Sequence, residues 1–213
     1  MTDPGLNGLL KWSLENSEEG RAGRSTQPPQ EAARGLNAEA LNRLMGGPSD
    51  ADLMKEAMSV IHHPDATPED KLVAWDNFEQ LIENLDNANN MSNLGLWDPL
   101  VQKLQDQDAE VRRMAAWCVG TAVQNNVKSQ VKLLAVGAIP SIIDLAANDT
   151  NKAVRKKAIM ALSSGVRNYQ PALDEALKRL PPQYKPSDHV QASDMEAIDD
   201  IMTKLRENAA GAS

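Results

Sequence analysis

The chain repeats itself. Placing Asn84 on Asn125, an offset of 41 residues, brings Lys71 onto Arg112, Ala74 onto Ala115, Phe78 onto Val119 and Leu81-Ile82 onto Ala122-Val123. The same shift superposes Pro99 on Pro140, Val101 on Ile142 and Leu104 on Leu145. Placing Asn125 on Asn168, an offset of 43, brings Val111-Arg112 onto Val154-Arg155 and Ala115 onto Ala158. The coincident positions are mostly apolar and helically spaced. A unit of this length cannot bury its own apolar face, so such units stack and form one continuous core between neighbours.

The elements inside each period read as helices. Leu53, Met54, Ala57, Met58 and Ile61 share one helical face, which ends at His62-His63-Pro64. Thr67-Pro68-Glu69-Asp70 opens another helix, with Thr67 as N-cap, proline in the first turn and acid beside it. Its inward face is expected to be Ala74, Phe78, Leu81, Ile82 and Leu85. Asp108 caps a third helix, whose Val111, Met114, Ala115, Cys118, Val119, Ala122 and Val123 form a clean amphipathic stripe. Ser193-Asp194-Met195-Glu196 reads as a capping box before Met195, Ile198, Ile201, Met202 and Leu205. Aromatic residues make up only 3% of the chain, with one phenylalanine, so the core must be aliphatic. A period in the low forties with helical patterns throughout indicates an all-α, armadillo-like or HEAT-like repeat solenoid.

Three segments follow from composition. Residues 1–50 hold a short apolar island, Leu9, Leu10, Trp12 and Leu14, ahead of a run rich in Gly, Pro, Ser and charge. That run, 18–35, cannot bury enough apolar surface to offset its ordering entropy, and is expected to be flexible. A short helix is expected over Ala38 to Met45, stopping at Gly46-Gly47-Pro48. Residues 51–180 carry the repeat core. In 181–213, PPQYKPSDHV breaks the repeat pattern and leads as a linker into a C-terminal capping helix.

Composition also excludes several functions. A net charge of −8 argues against a nucleic-acid partner, which needs a basic field. One cysteine, Cys118, allows no internal disulfide and no multi-cysteine metal site. His62, His63 and His189 offer no metal-ligand grouping, and Ser163-Ser164 lacks the glycines of a nucleophile elbow. No Gly-rich phosphate loop follows a strand. No apolar run approaches the ~20 residues of a membrane span, and no secretory signal is evident. The expectation is a cytoplasmic, non-enzymatic protein without cofactor, metal or catalytic residues, and with neither nucleic acid nor membrane as partner.

The stretch from Val136 to Asn168 resembles an armadillo repeat: a Gly-Ala-Ile-Pro turn, the second helix IIDLA, then a long third helix ending in SSGVRN. LLKWSLENS (Leu9 to Ser17), LMKEAM (Leu53 to Met58), KLVAWDNFEQLIENLDNANN (Lys71 to Asn90) and GTAVQNN (Gly120 to Asn126) occur in one order. Together they closely resemble the fungal Fes-type nucleotide exchange factors, relatives of the animal heat-shock-protein-binding protein. The resemblance covers about residues 6–17 and 50–170. It implies a monomer that forms a 1:1 complex with the nucleotide-binding domain of a 70-kDa, DnaK-type heat-shock chaperone. Its concave face would favour a geometry that holds ADP poorly, so that ADP leaves, ATP enters and client is released.

The amide-rich ends of the repeats are where a partner is expected to be gripped: Glu83, Asn84, Asp86, Asn87, Ala88, Asn89 and Asn90, then Asn125, Asn126, Arg167 and Asn168, with a solvated helix-end charge as the alternative for Arg167. Asn84, Asn125 and Asn168 each end a third-helix pattern, so capping is the structural alternative to an amide ladder. Ala88, small and apolar among acceptors and amides, is expected on a solvent-facing rim. The island Leu9, Leu10, Trp12 and Leu14 resembles the segments the chaperone's client groove accepts, or else docks on its own core. A peptide carrier of the nuclear-import type is the competing function. Those carriers repeat Trp-x-x-x-Asn on the third helix, whereas here Trp75 is followed four residues on by Glu79 and Trp117 by Thr121.

Overall fold

The structure, a computed structural model, describes residues 47–211. The apolar island, the 18–35 run and the expected helix over 38–45 lie outside the described residues. One compact unit begins at Asp50. Its helices are α1 (Asp50–His62), α2 (Pro68–Ile82), α3 (Leu85–Asn90), α4 (Trp97–Gln102), α5 (Ala109–Val123), α6 (Val127–Ala135), α7 (Ile139–Asn148), α8 (Lys152–Val166), α9 (Gln170–Arg179) and α10 (Met195–Gly211). One turn of 3-10 helix continues α4 over Lys103–Gln105, and another, Pro182–Tyr184, follows α9. Among the described residues there is no strand, and no single helix is long and apolar enough to cross a membrane. Helices α3–α5 form one three-helix repeat and α6–α8 the next. Helices α1 and α2 precede them, and α9 and α10 follow.

The long helices α2, α5 and α8 are fifteen residues each and lie side by side, α5 packing on both others. Their N-caps are Thr67, Asp108 and Asn151, whose side chains accept from Asp70 N–H, Glu110 N–H, and Ala153 and Val154 N–H. The corner between the first and second helix of each repeat is closed by a left-handed glycine, Gly95 at φ 67° and Gly137 at φ 70°. The core between helices is aliphatic: Leu100, Leu104, Met114, Val119, Leu133, Ile139, Ile142 and Leu162 are all fully buried. Phe78 is the one phenylalanine and is also fully buried.

The expected inward faces hold in the main; Leu81 and Met195 are half-buried, and further residues depart as follows. Leu85 is 56% exposed, because α2 ends at Ile82 and Leu85 opens the next helix rather than continuing the stripe. Val111 and Leu53 are half-buried, at the margins of their stripes. At the C-terminus the cap is Asp194 rather than Ser193: its Oδ1 accepts from Ala197 N–H at 3.0 Å.

Helix α10 packs against α7 and α8 at the end of the stack. Arg155, 3% exposed, ties it down: Nη2 donates to Ala209 O (2.9 Å), while Nη1 donates to Asp149 O (2.7 Å) and Thr150 O (3.2 Å). Arg112, one repeat earlier, does the same. Its Nη1 donates to Asp106 O and Gln107 O, both at 2.8 Å, and its Nε and Nη2 form a two-pronged ion pair with Asp149. Arg155→Met is expected to leave the repeats folded but lower stability by about 2 kcal/mol, since one buried and two part-buried carbonyls lose a charged donor. Hydrogen exchange should show the loss concentrated in α10. Protection unchanged in 195–209 would refute this role.

Candidate functional site

The long helices present one outward row each, at three- and four-residue spacing. Helix α2 shows Val73, Asp76, Asn77 and Gln80, of which Val73, Asn77 and Gln80 line a groove shared with α1; α5 shows Glu110, Arg113 and Trp117; α8 shows Lys156, Lys157, Met160 and Ser164. At the C-terminal end of these rows lies the run of asparagines singled out from sequence. The structure divides those residues into two groups.

Asn125, Arg167 and Asn168 come together. With Gln124, Gln130 and Ser164 they line a polar depression of about 420 Å³ between the ends of α5 and α8. Asn125 (φ 52°) and Asn168 (φ 57°) occupy the left-handed conformation that stops each long helix. Their side chains are therefore carried outward while the backbone turns. Asn168 N–H donates to Ala192 O at 2.7 Å, so the C-terminal segment fixes this corner. Arg167 forms an ion pair with Asp199 of α10, and its Nε donates to Ser163 Oγ at 2.9 Å. Gln130 Nε2 donates to the carbonyls of Ser164 and Arg167, both at 2.9 Å, and so supports the floor.

The other residues are turned to structural work. Asn84 does not end α2; it is the N-cap of α3, accepting from Asp86 N–H (2.9 Å) and Asn87 N–H (3.4 Å). Its repeat partner is therefore Asn126, the N-cap of α6, and not Asn125, because the connection after α2 is one residue shorter. Asn126 is 5% exposed, and its Nδ2 donates to Ser129 Oγ (2.8 Å) and Ala122 O (3.3 Å). Asn87 Nδ2 donates to Asp50 Oδ2 (2.7 Å) and Leu81 O (2.9 Å), tying α3 to α1 and α2. Asn90 accepts from Asn93, and the Asn89 carboxamide oxygen is buried without a donor. Glu83 and Asp86 remain exposed. The expectation of a solvent-facing rim at Ala88 is corrected: it is 2% exposed, on the inner side of a six-residue helix packed among α1, α2, α5 and α6.

The structure separates the tryptophans. Trp75 and Trp97 are 2% and 3% exposed. Trp117 is half-buried on the α5 row, with Lys157 Nζ of α8 at 3.6 Å from its ring centroid and Arg113 Cζ at 6.0 Å. The available signal was Arg113 and Trp117 one turn apart between buried positions, with Lys157 falling on Met114 under the 43-residue shift. Arg113 also pairs with Glu110, which holds that carboxyl below its ordinary range. Glu79, 6% exposed on α2, accepts from Thr121 Oγ1 at 2.7 Å. Burial pushes the Cys118 thiol well up. Among the described residues no three of His, Cys, Asp or Glu converge to hold a metal ion.

Comparison with known proteins gives this geometry a context. Residues 6–91 match the family profile "Nucleotide exchange factor Fes1", and residues 87–179 match "SIL1/FES1/HPBP1 C-terminal domain". The two profiles overlap in α3, where the fold itself has no break. The chain is 53% identical to the Hsp70 nucleotide exchange factor FES1 of Gibberella zeae, covering 97% of this chain and 98% of that one. It is 54% identical to the protein so named in Coccidioides immitis, over 96% and 98%. It is 44% identical to that of Neurospora crassa, over 99% and 100%. Among solved structures, a designed armadillo repeat protein in complex with the peptide (KR)4 is similar at TM-score 0.53 and 21% identity, over 75% of this chain and 70% of that one. An engineered protein is similar at TM-score 0.54 and 18% identity, over 93% and 78%. These last two speak for the armadillo-like fold alone.

Proposed function

We propose that this chain, which belongs to the Fes1 family of Hsp70 nucleotide exchange factors, grips the nucleotide-binding domain of an Hsp70 with the face formed by α2, α5 and α8 and thereby promotes ADP release. The observation that carries the reading is the family match over nearly the whole chain. The face supports it, since three long helices there align half-exposed charged, aromatic and amide groups without any reactive constellation.

The physics is linkage between two ligands. If the factor binds an opened nucleotide-binding domain more tightly than a closed one, nucleotide must bind its complex more weakly by the same factor. A coupling of about 1–3 kcal/mol corresponds to a 5–150-fold loss of nucleotide affinity. A face with equal affinity for both states would shift nothing. The chain acts as a monomer in a 1:1 complex, in the cytoplasm, and performs no chemistry of its own. Residues 51–180 do the gripping and α10 closes the stack.

A peptide carrier is the weaker reading. The positions where such carriers hold the peptide backbone are Glu79 and Thr121 here, and these bond to each other. The cations over Trp117 would also repel a basic peptide.

The test is release of a fluorescent ADP from a purified Hsp70. A several-fold faster release with this protein is expected; an unchanged rate at saturating concentration would reject the reading. Within it, the island at Leu9, Leu10, Trp12 and Leu14 competes for the client groove, raised to high effective concentration by the docked core. Deleting residues 1–17 is then expected to leave ADP release intact and to slow client release. Unchanged client release would remove the island from the mechanism.

A further inference from the structure

The most unusual group on the long-helix face is a half-buried ammonium that forms no ion pair among the described residues. Lys157 of α8 crosses the seam to stand 3.6 Å from the centroid of Trp117 on α5. Among the described residues it makes no ion pair, whereas Arg113, at 6.0 Å from the same ring, is paired with Glu110. Burial, and then the positive charge of Arg113, push the Lys157 ammonium below its ordinary range. Glu79 attracts it from below, but that carboxylate is buried and already bonded to Thr121. A ring quadrupole stabilises a cation without neutralising it.

The surroundings give the site an apolar component. Met160, 36% exposed, lies against Gly120, one turn along the same seam from Trp117. Trp, Arg and Met are enriched at the centres of protein interfaces, where a few anchored side chains carry most of the affinity. The chain's net charge is −8, and around this ring the carboxylates of Glu110, Asp76 and Glu79 offset the charges of Arg113 and Lys157. Of the two cations Lys157 is the one without an ion pair among the described residues, so it is the one left to meet and orient a carboxylate of a partner.

We propose that Trp117, Lys157 and Met160 are the central anchor of the Hsp70 interface, where Lys157, beside Arg113, receives a carboxylate of the nucleotide-binding domain while Trp117 and Met160 take its apolar neighbour. This rests on the proposed function and names the chemistry of that same face. A surface carboxylate flanked by an aliphatic residue is the element of the partner that fits.

The experiment compares full-length wild type with Lys157→Glu, Lys157→Met and Lys204→Glu. Lys204 is exposed on α10 and serves as the same charge reversal elsewhere. Each is titrated against the purified Hsp70 nucleotide-binding domain at low and at physiological salt, with ADP release measured in parallel. Lys157→Glu is expected to weaken binding about 30-fold, and Lys157→Met about 5-fold with a flatter salt dependence. Lys204→Glu is expected to stay within about 2-fold, as rim charges do. The methionine keeps the stem over the ring, so it separates charge from packing if the glutamate variant melts early. Wild-type affinity and salt dependence in Lys157→Met overturn the proposal while leaving the exchange activity intact. A wild type that accelerates no ADP release overturns the functional reading first and the anchor with it.

Discussion

Ala88→Arg is expected to destabilise the fold before it affects any partner. Ala88 is 2% exposed on a helix of only six residues, held between α1, α2, α5 and α6. An arginine there either leaves a charge in an apolar site or levers α3 away from the long helices. The penalty for an uncompensated buried charge is about 3–5 kcal/mol. A guanidinium that snorkels outward would lower this. The expected result is a melting temperature lowered by roughly 10 °C or more, with Hsp70 binding lost as a consequence. Circular dichroism melting and a pull-down should be made on one preparation. A variant that melts like the wild type yet fails to bind would make α3 part of the interface, and would show that the helix can turn Ala88 outward.

Gly120→Val is expected to be nearly as damaging. Gly120 sits where α5 and α8 approach most closely: a Cβ there would lie 3.2 Å from Ala161 Cα, 3.4 Å from Ala161 N and 3.1 Å from Met160 Cε. Two of these are backbone atoms and cannot swing aside. Overpacking of this kind costs about 3 kcal/mol at the upper end of its usual range. Gly165 makes a useful contrast, since its added Cβ would meet only Leu133 Cδ2, the end of a side chain. Gly165→Ala should therefore cost less. Cys118, fully buried two residues from Gly120, reports on the seam. Its burial raises the thiol pKa, so it should resist alkylation in the wild type and react measurably faster in Gly120→Val. Equal labelling rates and equal melting would mean that the helices separate at no cost.

The repeat and its helices were legible in the sequence because they rest on periodicity, which packing enforces at many positions at once. The N-caps at Thr67 and Asp108 were legible for a similar reason, since capping is local chemistry. The asparagine cluster was misread by one residue. An offset of 41 joins Asn84 to Asn125 when the matched helix interiors are followed, yet the connection after α2 lacks the left-handed residue present at Asn125 and Asn168. No interior residue records that missing position, so Ala88 was rotated to the wrong side. The Trp117 cluster was only partly legible, because the spacing of Arg113 and Trp117 is local while their meeting with Lys157 is not. Its ring and Lys157 belong to different repeats and meet only through the packing of α5 on α8.

The arginine clasp at the start of α5 and α8 has an implication for how such chains change length. Arg112 and Arg155 grasp the loop before their own helix in the same way and reach one step further for a last acceptor. For Arg112 that acceptor is the Asp149 carboxylate of the following unit; for Arg155 it is the Ala209 carbonyl of the closing helix. The closing helix thus imitates a successor. A unit duplicated or deleted between them would meet an equivalent socket on either side, so the array can gain or lose members by recombination without inventing a new terminus.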